Sequence, residues 1–279
     1  MNAKWLLRPK ANPYAELRLF CIPYAGGAAA IYRKWCEIVP RHIEVSLVEP
    51  PGRGTRMAET PFRRLPPLVR ALADAIEPEL DRPFALFGHS LGGLVAFELA
   101  RLLRRRGRPE PRRLFVSATP APGTPRRGRL VHGAGDEEVK DRLRSLNGTP
   151  RELLEDDEFM KIMIPIVRAD FSVLETHEHR EEPPLELPIS VFGGVLDHEV
   201  GLSALNGWVA QSAMPPRLRM LEGDHFFLHG AAEEIVAAIV EDLREHGTAA
   251  GARRAPAPRR PFFATPGEPS GGVRPERGT

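Results

Sequence analysis

Short apolar runs alternate with helically spaced apolar positions along most of this 279-residue chain. Runs at 18–22, 44–48, 84–87, 114–117, 188–192 and 217–221 span four or five residues each, as buried strands do. Between them, apolar side chains recur every three or four residues over 29–39, 66–80, 91–105, 203–212 and 231–245, which predicts helices. Strand–helix alternation of this kind predicts an α/β fold: a mostly parallel central sheet with helices on both faces. Functional loops then gather at the carboxyl ends of the strands.

The alternation breaks between about 122 and 184, a stretch too long for an ordinary connection. Helical patterns at 136–146, 150–154 and 158–174 predict an inserted helical lid. Met160, Met163, Ile164, Val167, Phe171 and Leu174 form one apolar face of it. That face is expected both to pack on the main domain and to line a substrate pocket, with Met160 and Met163 as adaptable liners. Residues 1–246 thus read as one domain with ample core, the lid included. From 247 to 279 the chain holds six Pro and six Gly, with Phe262 and Phe263 its one strongly apolar pair. That composition cannot offset its ordering entropy, so a disordered tail is expected.

The run at 84–87 ends abruptly in Gly88-His-Ser-Leu-Gly, a G-x-S-x-G sequence with a helical stripe after it at Leu94, Val95, Leu99, Leu102 and Leu103. A serine between strand and helix sits on a sharp turn, with glycines where two backbones nearly touch. This is the nucleophile elbow of α/β-hydrolases, with Ser90 as the candidate nucleophile. A serine hydroxyl needs a base to take its proton and a carboxylate to orient that base. In this fold they follow in the order Ser, Asp or Glu, His. Of nine histidines, His225 lies just after the last strand pattern and before the last helix, with His229 the runner-up. His42 precedes the serine, His89 adjoins it on the turn, and His177 and His179 sit in an acidic stretch that reads as solvated surface. For the carboxylate, Asp197 follows the 188–192 strand and a Gly-rich turn, with Glu199 the alternative. An oxyanion hole needs backbone N–H groups aimed at the developing charge. Leu91, at a helix N-terminus, supplies one, and Ala25, in the Pro23-Tyr-Ala-Gly-Gly-Ala loop after the 18–22 strand, is the best candidate for the other.

With these residues in place, the chain resembles the type II thioesterases that accompany polyketide synthases and nonribosomal peptide synthetases. The resemblance rests on Ile22-Pro-Tyr-Ala-Gly-Gly-Ala, Pro51-Gly-Arg-Gly-Thr-Arg, Gly88-His-Ser-Leu-Gly-Gly, Val167-Arg-Ala-Asp-Phe, Phe192-Gly-Gly-Val-Leu-Asp and Gly223-Asp-His-Phe-Phe-Leu, in order from about Trp5 to His246. It implies an α/β-hydrolase fold and a Ser90–Asp197–His225 triad, with Ala25 and Leu91 as oxyanion donors. It also implies hydrolysis of acyl groups from the phosphopantetheine thiol of acyl or peptidyl carrier proteins. Two stretches depart from the family pattern. Thr176-His-Glu-His stands where a tyrosine-containing stretch is usual, and Glu49-Pro-Pro replaces a polar residue and a single Pro. The first departure bears on the acyl pocket. Two other readings remain: a carboxylesterase or acyltransferase on free small molecules, and a non-catalytic binding protein of the same fold.

Composition adjusts this picture only slightly. The net charge of +2 divides into +4 on the tail, six Arg against Glu268 and Glu276, and −2 on the rest, which disfavours nucleic acid. Arginines 101, 104, 105, 106 and 108 cluster at one helix end, where the dipole favours cations; carrier docking is the other use for them. Cys21 and Cys36 have no metal or redox spacing and read as core residues in a reducing compartment. There is no signal-peptide pattern and no apolar run of membrane-spanning length, so a cytoplasmic monomer without metal or cofactor is expected.

Overall fold

A computed structural model describes residues 4–125 and 130–250. In chain order the strands are β1 Leu6–Leu7, β2 Leu17–Ile22, β3 Ile43–Val48, β4 Phe84–His89, β5 Leu114–Ser117, β6 Ile189–Gly194 and β7 Arg217–Leu221. The helices are α1 Trp35–Ile38, α2 Leu65–Ile76, α3 Leu91–Arg105, α4 Asp136–Leu146, α5 Arg151–Leu154, α6 Asp157–Glu175, α7 Leu202–Asn206 and α8 Ala232–Ala250. The described strands form one sheet in the order β1-β3-β2-β4-β5-β6-β7. All pairs are parallel except β1 on β3. The architecture is the α/β-hydrolase fold.

Side chains alternating along each strand feed two cores. In β4, Phe84 and Leu86 join the apolar residues of α2, α3 and α7, while Ala85 and Phe87 join those of α1 and α8. Both faces are therefore covered, which is why the central strands read as unbroken apolar runs. The chain steps from β2 outward to β3 and then returns to β4 on the other side of β2. A crevice opens at that reversal, at the carboxyl ends of β2 and β4, where α/β sheets bind ligands.

Several elements differ from the sequence expectation. The helix expected over 29–39 splits into a 3₁₀ turn at Ala29–Tyr32 and the short α1. The helices at 66–80 and 203–212 end early in 3₁₀ turns at Glu77–Glu79 and Gly207–Gln211. Pro78 and Gly207 stand in those turns; neither favours continued helix. Strand β7 is only half-buried, because Arg217 and Arg219 lean onto the fully buried Asp242 of α8 instead of entering an apolar core. Strand β1 was not foreseen: two residues are too few to show a period. Helix α8 runs four residues past 246, and Phe262 and Phe263 lie outside the described residues.

Between β5 and β6 the chain forms α4, α5 and α6. They share a small apolar cluster of their own, including Val139, Leu154, Met160, Ile164, Val167 and Phe171. Asp156 starts α6 by accepting the Phe159 N–H at 3.0 Å. Helix α4 is tied to the loops after β6 and β7. Arg142 pairs with Glu199 at 2.5 Å, and Asn147 Nδ2 donates to Asp224 Oδ2 at 3.0 Å.

Candidate active site

Ser90 follows β4 directly and has φ 52° and ψ −117°, a strained backbone for a residue with a side chain. Such a conformation costs about 1–3 kcal/mol and persists only when the surroundings over-determine it. They do so here. The Ser90 N–H donates to the Ser117 carbonyl at 2.8 Å, and Thr119 Oγ1 donates to the Ser90 carbonyl at 3.0 Å. The flanking glycines are sterically required. A Cβ on Gly88 would lie 2.0 Å from the Gly92 carbonyl oxygen, and one on Gly92 would lie 2.2 Å from that of Ile22.

The carboxyl ends of three parallel strands bring Ser90, Asp197 and His225 into one hydrogen-bonded chain. His225 Nε2 is 3.1 Å from Ser90 Oγ, and its Nδ1 is 2.9 Å from Asp197 Oδ2. Asp197 Oδ1 accepts the N–H groups of Glu199 and Val200 at 2.8 and 3.1 Å. The carboxylate is thus fully occupied and aimed at the imidazole, and both side chains are buried. Glu199, the alternative carboxylate, faces away toward Arg142. His229 is turned to the Tyr24 hydroxyl at 3.0 Å, and burial lowers its pKa. Tyr24 itself is pushed up to about 12 by burial.

The loop after β2 lies beside this chain, because Ile22 is in register with Gly88. The Gly26 N–H donates to Asp170 Oδ2 at 2.7 Å and the Gly27 N–H to the Tyr24 carbonyl at 2.9 Å. The Ala25 and Leu91 amides donate to no group among the described residues. Ser90, His225 and Ala25 border a cavity of about 740 Å³ that runs under the inserted helices. Met160, Met163, Val167 and Phe171 all line it, together with Leu94, Leu146 and Phe159. The arrangement is chemically able to activate a hydroxyl beside a large apolar pocket.

A family model described as Thioesterase domain matches residues 17–243. The chain belongs to the thioesterase family. Gramicidin S biosynthesis protein GrsT of Aneurinibacillus migulanus is 42% identical over 241 residues, 86% of this thioesterase and 94% of that protein. Linear gramicidin dehydrogenase LgrE of Brevibacillus parabrevis is 41% identical over 247 residues, 88% of this chain and 94% of its own. The solved structure of the RedJ thioesterase from the prodiginine biosynthetic pathway in Streptomyces coelicolor matches with a TM-score of 0.78 at 34% identity. The match covers 87% of this chain and 99% of that one. The protein is accordingly a thioester hydrolase.

Other features of the thioesterase were misread or missed in the sequence. His89 is fully buried, with Nδ1 2.9 Å from Ser117 Oγ and Nε2 2.8 Å from the His225 carbonyl oxygen. It braces the loop that carries His225, and its place beside Ser90 gave no hint of that. His177 and His179, expected on solvated surface, are instead half-buried on the cavity wall. Their ring nitrogens and a Glu98 carboxylate oxygen lie within 4.8 Å of one another, the one such group able to hold a metal among the described residues. Arg101 already neutralises Glu98 at 2.6 Å. The arginine cluster is paired internally: Arg101, Arg104 and Arg105 with Glu182, and Arg106 and Arg108 with Glu77. Arg101 is buried, with Glu98 and Glu182 as its ionic partners. Glu49, part of the second departure from the family pattern, is also buried. It accepts the N–H groups of Ala29 and Thr55 at 2.6 and 3.1 Å, pinning the turn after β3. Cys21 and Cys36 are buried and unpaired, and burial raises the Cys21 thiol pKa. None of the described helices is long and apolar enough to cross a membrane.

Proposed function

We propose that this thioesterase hydrolyses acyl groups held as thioesters on the phosphopantetheine arm of an acyl or peptidyl carrier protein, clearing a polyketide or nonribosomal peptide synthase. The observation that carries this reading is the unbroken Ser90–His225–Asp197 hydrogen-bonded chain at the edge of an apolar cavity of about 740 Å³. The relatives support the carrier part of the reading, being named for gramicidin and prodiginine biosynthesis.

In this reading Ser90 Oγ attacks the thioester carbonyl carbon while His225 Nε2 takes its proton. Asp197 holds the Nδ1–H tautomer and stabilises the imidazolium. The Ala25 and Leu91 N–H groups receive the oxyanion. Collapse breaks the C–S bond, and the proton on His225 goes to the leaving thiolate. Water, deprotonated by His225, then attacks the acyl-Ser90 ester; the carboxylic acid leaves and Ser90 regains its proton. The acyl chain lies against Met160, Met163, Val167 and Phe171, with the inserted helices acting as a lid.

The test compares hydrolysis of an acyl-carrier thioester, the matching free pantetheine thioester and the matching oxygen ester. The carrier thioester is expected to have the highest kcat/KM. Preference for the oxygen ester would make the protein a carboxylesterase, and tight acyl-ligand binding without turnover would make it a binding protein.

A further inference from the structure

Three side chains able to ligate a metal meet at the cavity wall, apart from the triad. Glu98 comes from α3, and His177 and His179 lie just after α6 ends at Glu175. One ligand atom from each lies within 4.8 Å of the other two, and all three residues are half-buried. Both histidines line the cavity. His179 Nδ1 is buried without a hydrogen-bond partner among the described residues, a state that buried polar atoms rarely keep. The histidines belong to Thr176-His-Glu-His, the stretch that departs from the family pattern.

The two ligand-bearing segments are already fastened to each other. Arg101 Nη2 on α3 donates to the Arg180 carbonyl at 2.5 Å and pairs with Glu182 at 2.9 Å. Arg104 Nη1 donates to the Pro184 carbonyl at 2.9 Å. Arg101 Nη1 holds only Oε1 of Glu98, at 2.6 Å. A carboxylate hydrogen-bonded at one oxygen keeps the other for a metal, and outer partners of this kind orient metal ligands. Around a tetrahedral Zn²⁺ with bonds of about 2.0–2.1 Å, ligand atoms stand roughly 3.4 Å apart. From separations within 4.8 Å, each pair closes by at most about 1.4 Å, which side-chain torsions supply. Two imidazoles and a carboxylate suit Zn²⁺ and leave a fourth position for water.

We propose that Glu98, His177 and His179 form a binding site for one Zn²⁺-class ion in the cavity wall. Ser90, Leu94 and Glu98 follow one another at four-residue spacing along one face of α3. Eight residues of helix place the site about 12 Å along the axis from Ser90. The ion therefore stands clear of the thioester carbonyl and ties α3 to the segment after α6. Its binding does not depend on the roles proposed for Ser90 and His225.

Full-length wild type, His177→Gln, His179→Gln and Glu98→Gln are stripped with a chelator, desalted and titrated with ZnCl₂ by calorimetry. Wild type is expected to bind one Zn²⁺ tightly. Changing even an outer partner commonly costs about 10–100-fold in metal affinity, so each histidine variant should lose roughly a hundredfold or more and Glu98→Gln at least about tenfold. Excess Zn²⁺ should raise the melting temperature of wild type and leave that of the histidine variants unmoved. Co²⁺ in place of Zn²⁺ should give the intense visible absorption of a four-coordinate ion. If one histidine variant does not fold, the other carries the comparison. Lack of saturable Zn²⁺ binding by wild type overturns the proposal. Wild-type affinity in either folded histidine variant also overturns it, because the ion would then sit elsewhere, and so does the faint spectrum of six-coordinate Co²⁺.

Discussion

His89 Nε2 stands 2.8 Å from the carbonyl oxygen of His225, so one imidazole holds the backbone of the other. A carbonyl only accepts, which places the His89 proton on Nε2 and leaves Nδ1 to receive the Ser117 hydroxyl at 2.9 Å. Burial, reinforced by His225, pushes its pKa well below the usual 6.5. In the unfolded chain the imidazole titrates near 6.5, so below that pH the unfolded state binds a proton that the native state refuses. The stability due to a neutral His89 is fully present above pH 6.5 and drains away as pH falls toward the folded pKa. The slope is at most about 1.4 kcal/mol per pH unit. His229, also depressed, adds in the same sense. Urea denaturation of His89→Gln between pH 5 and 8 should show a shallower slope than wild type. An unchanged slope would remove His89 as the titrating group.

Ser90→Ala should leave melting temperature within a few degrees, since the turn is held by the backbone bonds to Ser117 and Thr119. Turnover should fall by several orders of magnitude, as for other serines acting with a base. Single-turnover assays with a short acyl thioester measure this, and near-wild-type rates in the folded variant would sink the nucleophile role.

Asp197→Asn should slow turnover roughly ten-thousandfold by favouring the wrong imidazole tautomer. Glu199→Gln breaks only the half-exposed pair with Arg142, worth about 0–1 kcal/mol, and should be nearly silent. Steady-state kinetics on the two variants decide the matter; the reverse pattern would transfer the orienting role to Glu199.

Met163→Glu places a carboxylate on the apolar wall of the cavity. An uncompensated polar group there costs about 1–3 kcal/mol, so kcat/KM should fall roughly tenfold or more on free and carrier-bound acyl thioesters alike. A loss confined to the carrier substrate would relocate Met163 from the acyl pocket to a protein-binding surface.

Much of this was present in the linear pattern. Strand and helix positions, the Ser90 turn and the ranking of Asp197 and His225 as candidates follow from local period and chain order. These reflect burial and backbone geometry a few residues at a time. Partner choice is different in kind. Asp197 and Glu199 are two residues apart on one turn, and only the approach of Arg142 on α4 and of His225 after β7 tells them apart. His177 and His179 read as surface because their neighbours are charged, yet their placement against the cavity wall is set by where α6 ends. The arginines at the end of α3 read as cations favoured by the helix dipole, with carrier docking as the other use; that Glu182 folds across Arg104 and Arg105 from 77 or more residues away has no local signal. The Arg53–Asp170 pair spans 117 residues and leaves no periodic trace in either segment. Sequence alone determined which elements form and in what order, because those depend on short-range sterics and apolar spacing. The tertiary structure decided which side chains meet, because hydrogen bonds and ion pairs act over a few ångströms between segments that only the packed sheet brings together.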